Sequence, residues 1–164
     1  MKRFEDWDTF YLDFAELCAD QSYDLKTRVG CVIVKNNNII SFSYNGTSPG
    51  TSNKMRDENG KTLAEVIHAE TNAILKVAKN GVATKNATLY CTLCPCMECS
   101  KQILASGIKR VVFSNFHKST EGIKYLALHG VAISIYANDE PVHLTPLEHC
   151  DLVDQNWIRE NTGL

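Results

Sequence analysis

The sequence predicts an α/β fold: a mixed five-stranded sheet with helices on both faces, three layers in all. Three observations lead there. Short strand-like apolar runs, at residues 29–34, 39–44, 87–92, 109–114 and 131–136, alternate with helical periodicities from the second run onward. The first two runs are joined only by Lys35-Asn36-Asn37-Asn38, and asparagine tolerates left-handed backbone, so they form an antiparallel hairpin. The later runs are connected by helices, and strand-helix-strand steps make right-handed crossovers between parallel neighbours.

In chain order, Trp7, Phe10, Tyr11, Phe14, Leu17 and Cys18 recur at three- and four-residue steps, which describes an amphipathic helix over residues 5–19 with that stripe facing the core. After the hairpin, residues 45–61 are polar and aperiodic. That is longer than an ordinary connection and marks a candidate functional loop. A helix over residues 69–79 closes at Asn80-Gly81, one over 96–106 ends at Gly107, and one over 121–129 precedes Gly130. Residues 137–164 carry Pro141 and Pro146 ahead of a short helix at about 147–159. They are read as a C-terminal extension of a single domain, 1–164, with no role assigned.

Composition narrows the function. With 164 residues and 44% hydrophobic content, the chain can fill one core without staples. A formal charge of -2 leaves no excess of cations for a long phosphate backbone, so a small substrate is expected rather than a polynucleotide. Met1-Lys2-Arg3-Phe4-Glu5-Asp6 does not resemble a secretion signal and no run is long enough to span a bilayer, so a cytoplasmic protein without membrane association is expected. Seven cysteines, four of them (Cys91, Cys94, Cys96, Cys99) within nine residues, read as reduced thiols around a metal.

His68, Cys96 and Cys99 are the expected ligands of one zinc ion, and Glu70 its unligated neighbour. Cys96 and Cys99 are three apart at a helix start, so both thiols lie on one face within reach of one ion. Pro95 sits where a missing N–H costs little, and the helix N-terminus favours thiolate. Three protein ligands leave the fourth position for a water, whose pKa the metal lowers. Glu70 follows His68 by two, and the irregular first turn lets both face one pocket, where a carboxylate can carry a proton from that water to a leaving amine. Cys-x-x-Cys alone also fits a redox pair or half of a structural zinc knuckle. Cys91 reads as a strand residue, Cys94 as a pocket lining residue or a thiol with a metal or redox role, and Cys18 and Cys31 as core.

The segments Val29-Gly30-Cys31-Val32-Ile33-Val34, Tyr44-Asn45-Gly46, Ile67-His68-Ala69-Glu70-Thr71-Asn72-Ala73-Ile74 and Cys91-Thr92-Leu93-Cys94-Pro95-Cys96-Met97-Glu98-Cys99, in this order, resemble the deoxycytidylate (dCMP) deaminases, whose superfamily is marked by His-x-Glu and Pro-Cys-x-x-Cys. The likeness covers about residues 9–136. It implies the three-layer cytidine-deaminase-like fold and hydrolytic deamination of dCMP to dUMP and ammonia by a zinc-activated water, with Glu70 as proton shuttle, supplying dUMP for thymidylate synthesis. It also implies that Asn45, otherwise a turn residue before Gly46, holds the sugar or base edge, and that Ala69 and Cys94 line the substrate site. Phe116 would lie against the base, or serve as an ordinary loop aromatic. Lys26, Arg28, His117 and Lys118 are candidate donors to a 5′-phosphate, each otherwise a solvated surface group.

Family members imply further a hexamer, activation by dCTP and inhibition by dTTP, with Mg2+ accompanying the triphosphate, at a site near Tyr44, Asn45 and Gly46. Two departures bear on this. Ser43 stands where the family usually has glycine, which leaves nucleotide control open. Residues 47–64 contain neither Cys nor His, which argues against an additional structural zinc there. Competing functions are a tRNA adenosine or other cytosine or nucleoside deaminase with the same metal chemistry, and a non-catalytic, zinc-stabilised nucleotide-binding protein. A pure binder has no need of Glu70.

Overall fold

The structure is a computed structural model; it describes residues 6–117, 119–137 and 140–144, with side chains through Tyr136. The order is α1 (Trp7–Ala19), β1 (Gly30–Lys35), β2 (Asn38–Tyr44), α2 (Ala69–Lys79), β3 (Thr88–Leu93), α3 (Met97–Ala105), β4 (Arg110–Asn115), α4 (Glu121–Leu128), β5 (Ala132–Ala137) and β6 (Glu140–Leu144). The strands form one sheet in the order β2-β1-β3-β4-β5-β6. β1 runs antiparallel to β2 and to β3, while β3, β4 and β5 are parallel. The expected mixed five-stranded α/β arrangement is therefore present, each element within about two residues of its expected bounds.

A sixth strand extends that sheet. β6 pairs antiparallel with β5, with Tyr136 opposite Pro141. Proline has no N–H to donate, which argues against a central strand; here it lies in the outermost strand, where one side of the ladder needs no donor. The helix expected at about 147–159 lies outside the described residues.

The β1–β2 hairpin closes as the asparagines suggested: Asn36 (φ 51°) and Asn37 (φ 59°) both adopt left-handed backbone between the paired residues Lys35 and Asn38. Alternation along the strands then separates two cores. Cys31, Ile33, Leu89, Cys91, Val111 and Phe113 face α2, α3 and α4, whereas Val32, Val34, Tyr90 and Val112 face α1.

α1 corrects one expectation. Its buried face is Tyr11, Leu12, Ala15, Cys18 and Ala19, while Trp7 and Leu17 are exposed and Phe10 and Phe14 flank the core. The helix is rotated because its backbone presses on the start of β1: a Cβ at Gly30 would lie 1.8 Å from the Ala15 carbonyl oxygen. Only small side chains fit at that approach, so the large aromatics are displaced to its sides.

A polar cluster fastens α1 to the sheet. Asp6 caps the helix by accepting from the Asp8 N–H at 3.1 Å. Asp8 accepts from Tyr90 Oη at 2.6 Å, from Arg110 NH1 at 2.8 Å and from Tyr136 Oη, whose hydroxyl also donates to Asp6. Burial opposes the Asp8 charge, but the bonds from Arg110, Tyr90 and Tyr136 outweigh it and hold the carboxyl below its ordinary value. A lowered folded-state pKa gives stability that is complete above the unfolded value of about 3.9 and is lost as pH falls through the folded one. The melting temperature of wild type should therefore exceed that of Asp8→Asn most at neutral pH, and the gap should close below about pH 4. A gap that does not depend on pH would contradict this role for the charge.

Candidate active site

The site is built where two helices begin. His68 is the N-cap residue of α2 and Cys96 that of α3, and neither uses its side chain to cap. Both are therefore free to point at a shared partner. Cys96 follows directly on the end of β3 through Cys94 and Pro95, so the site lies beyond the carboxyl end of a parallel strand. His68 is brought in by a short bridge: Gly46 and Ile67 exchange backbone hydrogen bonds at 3.0 and 2.8 Å, so the chain leaving β2 fixes the chain entering α2. Ser43 and Ser41 reinforce this by donating to the carbonyls of Ala69 (2.6 Å) and Ala73 (3.0 Å). The serine that departs from the family pattern thus ties α2 to the sheet.

His68, Cys96 and Cys99 present one nitrogen and two sulfurs that all lie within 4.8 Å of one another, the one such group among the described residues. His68 Nδ1 is 3.6 Å from Cys96 Sγ and 3.4 Å from Cys99 Sγ. Zinc with sulfur at about 2.3 Å and nitrogen at about 2.0–2.1 Å, arranged tetrahedrally, places those atoms about 3.6 Å apart. The donor set fits that ion. The two sulfurs share one proton: hydrogen bonds from the Cys99 thiol and then from His68 hold Cys96 well below the ordinary thiol range, while its bond to Cys96 and burial push Cys99 up. A cation bound between the two sulfurs would displace the Cys99 proton and let both ligate as thiolates. Thr71 Oγ1 lies 3.7 Å from Cys99 Sγ, one turn along α2 from His68.

Glu70 is 4% exposed. Burial, opposed by its own backbone N–H and by His68, pushes its carboxyl up to about 7. It faces the same cavity as His68, a space of about 410 Å³ that Asn45, Ala69, Cys94 and His117 also line. The irregular first turn thus brings residues two apart to one pocket. Cys94 is buried, its Sγ accepts from the His117 N–H at 3.1 Å, and burial pushes the thiol up to about 11. It is a neutral group holding the loop after β4 rather than a member of the metal cluster.

Other candidates sit elsewhere. Phe116, partly buried, packs edge-on against Phe113 at the margin of the core (ring centroids 5.3 Å apart) and is not among the residues lining the cavity. Arg28 Nε donates to the Asp24 carbonyl at 3.3 Å, and Lys26 Nζ stands over Gly60; neither lines the cavity. Lys118 lies outside the described residues. Asn45 lines the cavity, but its side chain also serves the backbone: Oδ1 accepts from Val29 N–H at 2.9 Å and Nδ2 donates to the Thr27 carbonyl at 2.9 Å. Among the described residues, the arginine or lysine that lines the cavity is Arg56, paired with the buried Asp24, and sequence reasoning missed both. For Asp24, burial is outweighed by bonds from Arg56, Lys26 N–H and Thr27 N–H, which hold it below the ordinary carboxylate range.

Fold and site together define a class: α/β proteins with a His/Cys/Cys cluster whose donor atoms could hold a metal ion and a buried carboxylate facing the same cavity. Comparison with known proteins agrees. The family model for the cytidine and deoxycytidylate deaminase zinc-binding region matches residues 5–115. The chain belongs to the cytidine and deoxycytidylate deaminase family. It is 36% identical over 146 residues to the deoxycytidylate deaminase of Saccharomyces cerevisiae, covering 82% of this chain and 46% of that protein. It is 34% identical over 137 residues to the human deoxycytidylate deaminase, covering 77% and 76%. The chain thus spans under half the length of the yeast relatives it matches. Among solved structures, the dCMP deaminase of cyanophage S-TIM5, in complex with dCMP and dUMP, superposes with a TM-score of 0.78 at 35% identity, covering 82% of this chain and 99% of that one. No helix among the described residues is long and apolar enough to cross a membrane.

Proposed function

We propose that this protein is a deoxycytidylate deaminase that hydrolyses dCMP to dUMP and ammonia. The observation that carries the reading is the buried Glu70 carboxylate facing the same cavity as His68 and Cys96. His68, Cys96 and Cys99 would hold a zinc ion, which when bound would supply an activated water. Glu70, with its carboxyl raised into the neutral range, then does the proton work. It takes a proton from the attacking water and delivers it to the pyrimidine ring nitrogen. It then takes the proton of the hydroxyl newly formed on C4 and passes it to the exocyclic amine, so that the C4–N bond breaks and ammonia leaves a C4 carbonyl. Water and substrate account for every atom of the products, and no redox cofactor is involved. The cavity of about 410 Å³ is of a size for one small ligand.

The named activity of the similar proteins, and the dCMP and dUMP bound by the cyanophage enzyme, support the choice of substrate. The same likeness extends the proposal to supply of dUMP for thymidylate synthesis in the cytoplasm and to a hexamer controlled by dCTP and dTTP with Mg2+. Assaying ammonia release from dCMP, dCTP, cytidine and a tRNA anticodon loop tests it. We expect dCMP to be preferred. If dCMP is ignored while another substrate turns over, the substrate assignment fails and the chemistry stands; no release from any of them would favour the binding-protein reading. Cys99→Ala is expected to lose metal and activity together, measured as zinc per chain and turnover. Full zinc retention would contradict the ligand assignment.

A further inference from the structure

The polar wall of the cavity contains an ion pair that the proposed chemistry does not use. Asp24 and Arg56 lie 32 residues apart in sequence, and both line the cavity. The Asp24 side chain is 2% exposed and the Arg56 side chain 21%. The pairing is bidentate: Arg56 Nε donates to Asp24 Oδ1 and NH2 to Oδ2, each at 2.8 Å. This fork-on-fork geometry fixes direction as well as distance, which a lysine cannot do.

Each partner also organises its own loop. Asp24 Oδ1 accepts from the backbone N–H groups of Lys26 (2.8 Å) and Thr27 (3.1 Å), folding the turn that leads into β1. Arg56 NH1 donates to the Gly60 carbonyl at 2.9 Å, closing the turn in which Gly60 N–H bonds to Asp57 and Leu63 N–H bonds to Met55. The pair therefore ties the turn at residues 24–27 to the loop at residues 56–60, towards the far end of the aperiodic segment. With nearly every Arg56 donor engaged and its charge matched by Asp24, the guanidinium is a strut rather than a free anion receptor.

We infer that Asp24 and Arg56 are positioning residues for substrate binding: their ion pair holds the loop at residues 56–62 against the turn at 24–27 and so sets the wall of the cavity. Neither side chain contacts His68, Glu70, Cys96 or Cys99 in any described interaction, so the pair acts on affinity and leaves the metal in place. The kinetic part of this inference rests on the dCMP reading; the structural part does not.

The test uses the full chain with Arg56→Met, Arg56→Lys and Asp24→Asn. Arg56→Met is expected to bind one zinc per chain, to raise KM for dCMP at least about tenfold and to change kcat by less than about threefold, with Arg56→Lys recovering only part of the loss, since a lysine restores the charge without the fork. In parallel, amide exchange at Gly60 and Leu63 should speed at least about tenfold in Arg56→Met and not at β3 amides. An unchanged KM with an unchanged exchange rate overturns the inference, as does full recovery by lysine. Loss of zinc with loss of kcat does so too, since it would make the pair part of the metal site's support. If the wild type does not turn over dCMP, the functional reading fails while the exchange measurement still decides the strut. Asp24→Asn, which keeps the side-chain shape, guards against a folding defect peculiar to the arginine variants.

Discussion

Glu70→Ala is expected to lower turnover of dCMP at least about a hundredfold, the scale of a lost acid-base group, while zinc content and fold are retained. A hundredfold loss corresponds to about 2.7 kcal/mol of transition-state stabilisation. The fold should tolerate the change because Glu70 is buried at a net desolvation cost and sits in the first turn of α2, where alanine is a better helix former. The melting temperature should hold or rise. Zinc should stay because Glu70 is not one of the three residues whose donor atoms converge. Turnover close to wild type in a zinc-replete variant would remove Glu70 from the mechanism. Parallel loss of zinc would instead make it a ligand. The measurement is therefore turnover, metal content and melting temperature on one preparation.

Among the described glycines, Gly30→Ala is expected to give the largest loss of stability, since its built Cβ makes the shortest contact. Its Cβ would lie 1.8 Å from the Ala15 carbonyl oxygen and 2.7 Å from the Ala19 nitrogen, all backbone atoms of α1. No rotamer change relieves such a clash, so the helix must lift from β1. That movement opens the core around Leu12, Val32 and Tyr90 and pulls on the Asp8 cluster. Overpacking that rigid neighbours cannot absorb costs about 3 kcal/mol or more. An unfolding free energy from denaturant titration within about 0.5 kcal/mol of wild type would contradict the close helix-strand contact. Substituting Gly50, which has no neighbour within 4 Å of a built Cβ but a φ of +83°, is the control for backbone strain without a clash.

The His68, Cys96 and Cys99 cluster was legible because its chemistry is carried by short spacings. Two cysteines three apart at a helix start converge on one point wherever the helix goes, and the fold had only to bring His68 to it. The strands and helices were legible for a similar reason, since alternation and three-to-four periodicity are local, and Asn36-Asn37 specified its own turn. What escaped depended on distant partners. The rotation of α1 follows from Gly30, whose missing side chain admits the helix backbone; ranking residues by hydrophobicity favours Trp7 and Leu17 over Ala15. Arg56 lies in an aperiodic loop and acquires its meaning only through Asp24. Lys26 and Arg28 looked equally suited to a cavity, and only the fold shows that they turn away from it. β6 was obscured by Pro141, which an outermost strand accepts but the middle of a central strand does not.

The central claim is an open metal site made by one histidine and two cysteines. X-ray absorption at the zinc edge of the purified protein measures it directly. The expected result is one zinc per chain with two sulfurs at about 2.3 Å and two lighter atoms at about 2.0–2.1 Å, one of them not from the protein. A shell of three or four sulfurs would recruit Cys94 and close the site, and that result would contradict the account.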